Sequence, residues 1–390
     1  MIGRAVESAG KSRLFYLSIN SMNSVKTDKP VRLIVTAGGT GGHIFPALSV
    51  VLALRQQRPA IEIVWIGTSR SREEELCRLH GIRLVKLAVS GIKRRMSIQS
   101  VKAVVQFVMQ IFSMVKILKR ENPVAVIAFG GYVSAPVLAA ARLSGISYFC
   151  QEQNTVPGLV NRLFARKARA VFISFPLAQG LKLKGTIVES GMPIRTAAVD
   201  NYASFVFPVS FVRSRTTILI TGGSQGAQQM NRTLIAPVRN WAQQGLQIVW
   251  HTGEASYNEV QAAMHGYASV MSLISVPDLY PFYAVAKILI ARSGASTMAE
   301  SALFGLPAVF IPLPWAAENH QWMNAGIAVD QDWAIRISQD DSCSSNVRTA
   351  VQSLLTDTAR YNSMSTAARA HSSAHSAATI AARILQEVAL

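Results

Sequence analysis

The feature that most constrains this chain is a unit that occurs twice: a short apolar run, then a glycine-rich loop, then a helical pattern. Residues 31–36 (VRLIVT) lead through Ala37 into Gly38-Gly39-Thr40-Gly41-Gly42-His43 and an Ala/Leu/Val helix pattern. Residues 217–221 (TILIT) lead into Gly222-Gly223-Ser224-Gln225-Gly226-Ala227 and a second helical stretch. A further echo follows each unit. Residues 124–129 run into Gly130-Gly131, an Ala-rich helix through Arg142, Gly145-Ile146 and a strand at 147–150. Residues 288–291 run into Arg292-Ser293-Gly294, a helix at 296–304, Gly305-Leu306-Pro307 and a strand at 308–311.

Strands that alternate with helices in this way require parallel sheets with right-handed crossovers and helices on both faces. The expected fold class is therefore α/β, with two Rossmann-like domains facing a cleft. At 390 residues the chain exceeds a single core. The expected division is an extension over 1–30, a first domain over 31–195, a second over 196–365 and a C-terminal helix over 366–390. The linker is expected near residues 191–201, and the last helix is a candidate to pack back on the first domain. Ligands of open parallel sheets bind at the carboxyl ends of the strands, where all four glycine turns fall.

A net charge of +18 attracts polyanions, whether nucleic acid, anionic lipid or phosphorylated substrate. No zinc-knuckle spacing or ribonucleoprotein-type aromatic motif accompanies it, so nucleic acid is not expected as a partner. Three scattered cysteines, Cys77, Cys150 and Cys343, suggest no disulfide framework and fit a reducing compartment. The first thirty residues hold no apolar run of signal-peptide length. In residues 98–118, Lys102, Gln106, Gln110, Ser113 and Lys116 recur at spacings of three or four, which predicts an amphipathic helix rather than a membrane span.

Glycine between strand and helix lets a backbone approach an anion, and the free amides of the helix's first turn favour phosphate. Neither loop reads GxGxxG and neither carries a P-loop Gly-Lys-Ser/Thr, which disfavours nicotinamide dinucleotides and phosphoryl transfer from ATP. His43 opens a helix, where the dipole is expected to lower its pKa; it reads as a proton acceptor or as a residue that orients the turn. Glu152 and Asn154 follow a strand at the same sheet edge. Glu300, three residues after Thr297, has the reach to accept both hydroxyls of a ribose. Asp330-Gln331-Asp332 has the spacing of a metal-binding DxD but reads as the edge of a strand, so neither metal nor cofactor is expected.

Together, GGTGGH at 38–43, FGGYVSAP at 129–136, QEQN at 151–154, GGSQGA at 222–227, RSGAST at 292–297 and NHQ at 319–321 resemble the MurG family in order and spacing over roughly residues 30–360. The resemblance implies a GT-B fold and an inverting transfer of N-acetylglucosamine from UDP-N-acetylglucosamine to the C4 hydroxyl of undecaprenyl-diphosphate-linked MurNAc-pentapeptide, lipid I, giving lipid II and UDP in peptidoglycan synthesis. It implies catalytic roles for His43 and Glu152. Thr40, Gly41, Gly42, Tyr132 and Asn154 would face acceptor and transferred sugar, and Arg195, Ser224 and Gln225 the diphosphate. Arg292, Ser293, Thr297 and Glu300 would line the nucleotide, and His320 and Gln321 the donor sugar. No metal is required in the family.

The resemblance also implies peripheral attachment at the cytoplasmic face of the inner membrane, through an apolar patch of Ile98, Val101, Val105, Val108 and Phe112 rimmed by Lys93, Arg94, Arg95, Lys119 and Arg120. An anionic membrane surface and other cell-wall synthesis proteins are the implied partners. Three positions depart from the family pattern: Gln151 stands where histidine is usual, Met192 where asparagine is usual, and Pro277 where an acid is common. Two other readings share the architecture, an inert nucleotide-sugar-binding scaffold and a non-hydrolysing UDP-N-acetylglucosamine epimerase. Release of UDP separates the scaffold from a transferase, and the basic amphipathic helix favours a lipid-linked acceptor over the epimerase.

Overall fold

The computed structural model describes residues 31–68, 71–87, 98–195, 205–207, 211–223, 227–276 and 278–388. The expected extension over 1–30, Ser224, Gln225, Pro277, the basic cluster at 93–95 and much of the expected linker therefore lie outside the described residues.

In the first half, β1 (Arg32–Thr36), α1 (Gly41–Gln57), β2 (Glu62–Gly67), α2 (Ser71–Leu79), β3 (Arg83–Lys86), α3 (Ile98–Glu121), β4 (Ala125–Ala128), α4 (Ser134–Leu143), β5 (Tyr148–Glu152), α5 (Leu159–Phe164), β6 (Val171–Ile173) and β7 (Ile187–Glu189) follow one another. Seven parallel strands form one sheet in the order β3-β2-β1-β4-β5-β6-β7.

The second half continues with β8 (Thr217–Thr221), α6 (Gln228–Gln243), β9 (Gln247–His251), α7 (Glu254–Ala263), β10 (Val270–Leu273), α8 (Tyr280–Val285), β11 (Ile288–Ala291), α9 (Ala295–Phe304), β12 (Ala308–Phe310), α10 (His320–Asp330) and β13 (Ala334–Arg336). Its six-stranded parallel sheet runs β10-β9-β8-β11-β12-β13, the same winding as the first. Three helices close the chain: α11 (Cys343–Thr356), α12 (Thr358–Ala370) and α13 (Ser376–Glu387).

Both sheets are covered on both faces, which is why their central strands are apolar throughout rather than alternating with polar residues. Leu33 and Val35 of β1 enter the core shared with α1, while Ile34 enters the core shared with α3 and α4. In β8, Ile218 and Ile220 face the α6 and α11 side and Leu219 the α8 and α9 side. The period of two in side-chain direction splits each strand between two cores.

Strand order reverses direction between β1 and β4 and again between β8 and β11, and these are the points where crevices open at the carboxyl ends of such sheets. The four glycine turns follow those four strands. Within the first crevice the two turns press together: a Cβ on Gly131 would come 2.6 Å from the Gly38 carbonyl oxygen, and Gly131 has φ +78°, so both space and backbone demand glycine.

The C-terminal helices divide between the halves. Met364 and Ala368 of α12 join the cores of the second half, whereas Ala377, Ile380, Ala381, Ile384 and Leu385 of α13 join the first-half core beside α1. Gln57 Nε2 donates to the Ala378 carbonyl at 2.9 Å and Ser376 Oγ to the Gly191 carbonyl at 2.7 Å. Where the chain leaves the first sheet, Met192 and Ile194 pack with Ala295 and Ala299 of α9. Asp330 to Asp332, read from sequence as a strand edge, instead close α10: Asp332 turns in the left-handed region at φ +58°.

Candidate active site

His43 sits in the first turn of α1, which starts from an extended Thr40. Its Nδ1 lies 3.2 Å from Thr40 Oγ1, and its Nε2 edge lies against Gly130, where a Cβ would approach within 3.3 Å. Tyr132 reaches over Gly39 from the neighbouring turn. The half-buried imidazole is lowered from its ordinary 6.5 to about 4, first by burial between the two loops, against the pull of the Gly38 carbonyl, with the charge of His320 pushing the same way as burial. The sequence argument assigned this lowering to the helix dipole. A dipole contributes ~0.3–1 kcal/mol, too little for a change that corresponds to roughly 3 kcal/mol; burial is the larger cause. The charge of His320, from the second half, is thus felt at His43.

Glu152 takes a different position from the one expected of a catalytic carboxylate. It is only 2% exposed, and its carboxylate accepts from the amides of Asn154 at 3.0 Å and Gly158 at 2.8 Å and from Asn161 Nδ2 at 2.8 Å. Burial holds its pKa above the usual range while these bonds pull it down. It shapes the loop between β5 and α5 and is not open to a substrate proton. Gln151 is also buried, donating to Ser174 Oγ at 2.8 Å; that hydroxyl contacts Met192 Sδ at 3.2 Å. Two of the three departures thus meet at one serine, and Met192 lies in the apolar cluster with Ala295 and Ala299, not on the cleft.

The two halves meet through Asn324 of α10, a residue the sequence reading passed over. Its Oδ1 accepts from Thr155 N at 3.0 Å and Thr155 Oγ1 at 3.1 Å, and its Nδ2 donates to Asn154 Oδ1 and to the Ser293 carbonyl, both at 3.1 Å. Every hydrogen-bonding site of the side chain is used. The expected sugar contact Asn154 and the expected nucleotide contact Ser293 therefore share one partner. Asn324 lies three residues beyond Gln321 on the same helix, so the NHQ motif pointed to its face. Nearby, Arg162 of α5 pairs with Glu318 at 2.5 Å.

Around Glu300 a second cluster forms. Its carboxyl is raised to about 7, first by burial and further by Asp278, while the Tyr283 hydroxyl and Arg195 pull it down. Arg195 Nη2 contacts Asp278 Oδ1 at 3.2 Å, and its guanidinium lies over Phe45 of α1 and Tyr280 of α8. Tyr283 also touches Thr297. Thr297 and Glu300 of the second half are thus brought together with Arg195, which lies over Phe45 of the first.

Other expected contacts are turned inward. The buried Arg292 donates through Nη1 to the carbonyls of Ile311 at 2.8 Å and Pro312 at 3.1 Å, so this arm of its guanidinium braces the end of β12. Ser293 Oγ donates to the Gln321 carbonyl at 2.7 Å, and Gln321 Oε1 accepts from Leu313 N at 2.9 Å. These bonds set the 313–320 loop, on which His320 Nδ1 lies 2.8 Å from the Ala317 carbonyl oxygen. Gly41 and Gly42 present the first amides of α1, which a helix leaves without internal partners.

Comparison with known proteins agrees with this architecture. Residues 33–173 match the glycosyltransferase family 28 N-terminal domain and residues 217–384 its C-terminal domain. The UDP-N-acetylglucosamine--N-acetylmuramyl-(pentapeptide) pyrophosphoryl-undecaprenol N-acetylglucosamine transferase of Desulfitobacterium hafniense is 33% identical over 350 residues, 87% of this chain and 94% of the relative. The crystal structure of Acinetobacter baumannii MurG superposes with a TM-score of 0.72 at 27% identity, covering 92% of this chain and 100% of that one. A putative UDP-N-acetylglucosamine 2-epimerase from Listeria monocytogenes shares the fold alone, with a TM-score of 0.67 at 15% identity over 92% of this chain and 96% of its own. Matched in both halves and aligned to a transferase over nearly that relative's whole length, the chain belongs to glycosyltransferase family 28, within the MurG family.

Proposed function

We infer that this chain transfers N-acetylglucosamine from UDP-N-acetylglucosamine to lipid I, forming lipid II and UDP. The observation that carries the reading is the placement of His43 between the two glycine turns of the first half, its ring against Gly130 and Gly131 and its Nδ1 3.2 Å from Thr40 Oγ1. The donor lies against the second half, with its diphosphate at the loop after β8 and the amides of α6, and its ribose on Glu300. The lipid-linked acceptor enters over the first half. The acceptor's C4 oxygen forms a bond to the anomeric carbon as the bond from that carbon to the UDP oxygen breaks, which inverts the centre. The C4 proton passes to His43, which is free to accept it because burial keeps it unprotonated above about pH 4. Developing charge on UDP is met by helix amides and by Arg195 on exchange of Asp278 for phosphate.

For the membrane, the supporting feature is α3. Among the described residues no helix is long and apolar enough to cross a membrane. Yet α3 exposes Val104, Val105, Val108, Met109 and Phe112 in one stripe while Met114 and Leu118 are buried beneath α3 in the core. The stripe includes three of the expected patch residues and adds Val104 and Met109; the side chains of Ile98 and Val101 lie outside the described ones. Lys116 and Lys119 are exposed on the same helix. We assign this surface to the anionic membrane that carries the acceptor, each basic residue contributing about 1 kcal/mol near such a surface.

The reading is tested by UDP release from UDP-N-acetylglucosamine with and without a short-chain lipid I analogue. Release that requires the acceptor supports the transferase. Donor binding without release would instead indicate a scaffold, and epimerised donor in the absence of acceptor an epimerase; either contradicts the reading.

A further inference from the structure

In the QEQN stretch, Gln151 and Glu152 turn inward and Asn154 is held by Asn324. Gln153, which the transfer step leaves unused, is the residue whose amide reaches the first crevice. It directly follows β5 and is 3% exposed. Its Nε2 donates to the Phe129 carbonyl at 2.7 Å and to Gln151 Oε1. A backbone carbonyl only accepts, so Phe129 fixes which end of the Gln153 amide carries the NH2 group. The neighbouring amide is fixed in the same way: Gln151 Nε2 donates to the Glu152 carbonyl at 3.1 Å and to Ser174 Oγ at 2.8 Å, which turns Gln151 Oε1 toward Gln153.

The Gln153 oxygen faces Gly130 of the glycine turn after β4. Gly130 takes φ +87° and has no side chain, and the space that a Cβ would fill there is bounded by His43 Nε2 at 3.3 Å and by Gln153 Oε1 at 3.7 Å. Among the described residues every hydrogen bond of the Gln153 side chain runs through Nε2, and Oε1 meets no donor. An imidazole nitrogen and an unengaged amide oxygen therefore flank one niche over the turn. A buried polar atom left without a partner favours a ligand that brings one.

We propose that Gln153 is an acceptor-binding residue, its Oε1 accepting a hydrogen bond from the C6 hydroxyl of the acceptor sugar while the C4 hydroxyl faces His43. The proposal rests on the reading that puts the C4 hydroxyl at His43. On a muramic acid ring the C3 oxygen carries the lactyl ether and has no proton to give, so the neighbouring hydroxyl able to donate is the one on C6. The consequence is selectivity for a 6-hydroxylated acceptor, with no effect on the nucleotide.

The test compares kcat/KM for a short-chain lipid I analogue and for its 6-deoxy counterpart, at saturating UDP-N-acetylglucosamine, in wild type and in Gln153→Met. Calorimetry with UDP reports whether the variant is folded. Wild type loses about tenfold on the 6-deoxy acceptor, the scale of one net hydrogen bond. Gln153→Met, similar in size but without the oxygen, loses tenfold or more on the full acceptor, treats the two acceptors alike within about twofold, and binds UDP as wild type does. Equal wild-type kcat/KM on the two acceptors overturns the proposal, and that comparison needs no variant to fold. So does a variant that still prefers the 6-hydroxylated acceptor by the wild-type factor, which leaves Gln153 as a support of the turn alone. Wild type that transfers to neither acceptor fails differently: it contradicts the transferase reading, whatever Gln153 does.

Discussion

At the scale of single residues, the chemistry depends on two pKa values displaced in opposite directions by the same cause. Burial removes charge from whatever it encloses, so it lowers the imidazole of His43 to about 4 and raises the carboxyl of Glu300 to about 7. Glu300 must be ionised to accept from both ribose hydroxyls, so kcat/KM for the donor should rise with pH through about 7 in wild type, while kcat, which reports the donor-bound enzyme, should show that rise at lower pH. A donor kcat/KM that is flat between pH 6 and pH 8 would contradict the role. Glu300→Ala should weaken donor binding by roughly 1.5–3 kcal/mol, the range for a charged hydrogen-bond acceptor, as read by calorimetry. The linkage has the sign of a raised folded pKa. Glu300 contributes stability that is fully present below its ordinary 4.5 and lost as pH rises through about 7.

Among the elements, the sequence was most legible where one local pattern decided the outcome. Four apolar runs ending in glycine turns placed β1, β4, β8 and β11, and the carboxyl-edge rule then located the crevice without any long-range information. The helix at 98–121 was legible for the same reason, because a stripe of polar residues at helical spacing marks one face. Its outward apolar stripe was only partly legible, since periodicity separates polar from apolar faces but does not say which apolar residues a neighbouring helix covers. Phe112 and Met109 are 64% and 65% exposed. The double change Met109→Ser with Phe112→Ser should lower binding to anionic vesicles by tenfold or more, because insertion of one large apolar side chain is worth about 1.5–3 kcal/mol. UDP affinity should be unaffected. Vesicle binding equal to wild type would remove α3 from the membrane surface.

On the scale of the whole molecule, what joins the halves was least visible in the sequence. Asn324 and Thr155 are 169 positions apart, and Met192 packs against Ala295 and Ala299 of α9, far along the chain. A motif can mark Glu152 or Arg292 as belonging to a site, but it does not show that the carboxylate is enclosed by its own loop or that the guanidinium is turned to Ile311 and Pro312. Those orientations follow from tertiary packing. The joint itself gives a ranking by magnitude. Removing Asn324 strands buried partners at about 1–3 kcal/mol for each unsatisfied group. The half-exposed Arg162–Glu318 pair is worth at most about 1 kcal/mol. Asn324→Ala should therefore lower the melting temperature clearly and Glu318→Ala hardly at all; the reverse order would contradict the geometry of the joint.

The most direct test of the whole account is the single-turnover rate of N-acetylglucosamine transfer to a lipid I analogue, at saturating donor and acceptor, in wild type and in His43→Ala. Loss of a positioned base predicts a rate lower by about 10²–10⁴-fold, with UDP affinity unchanged because the donor binds the other half. A transfer rate in His43→Ala equal to that of wild type would show that the residue held between the two glycine turns does not take the acceptor's proton.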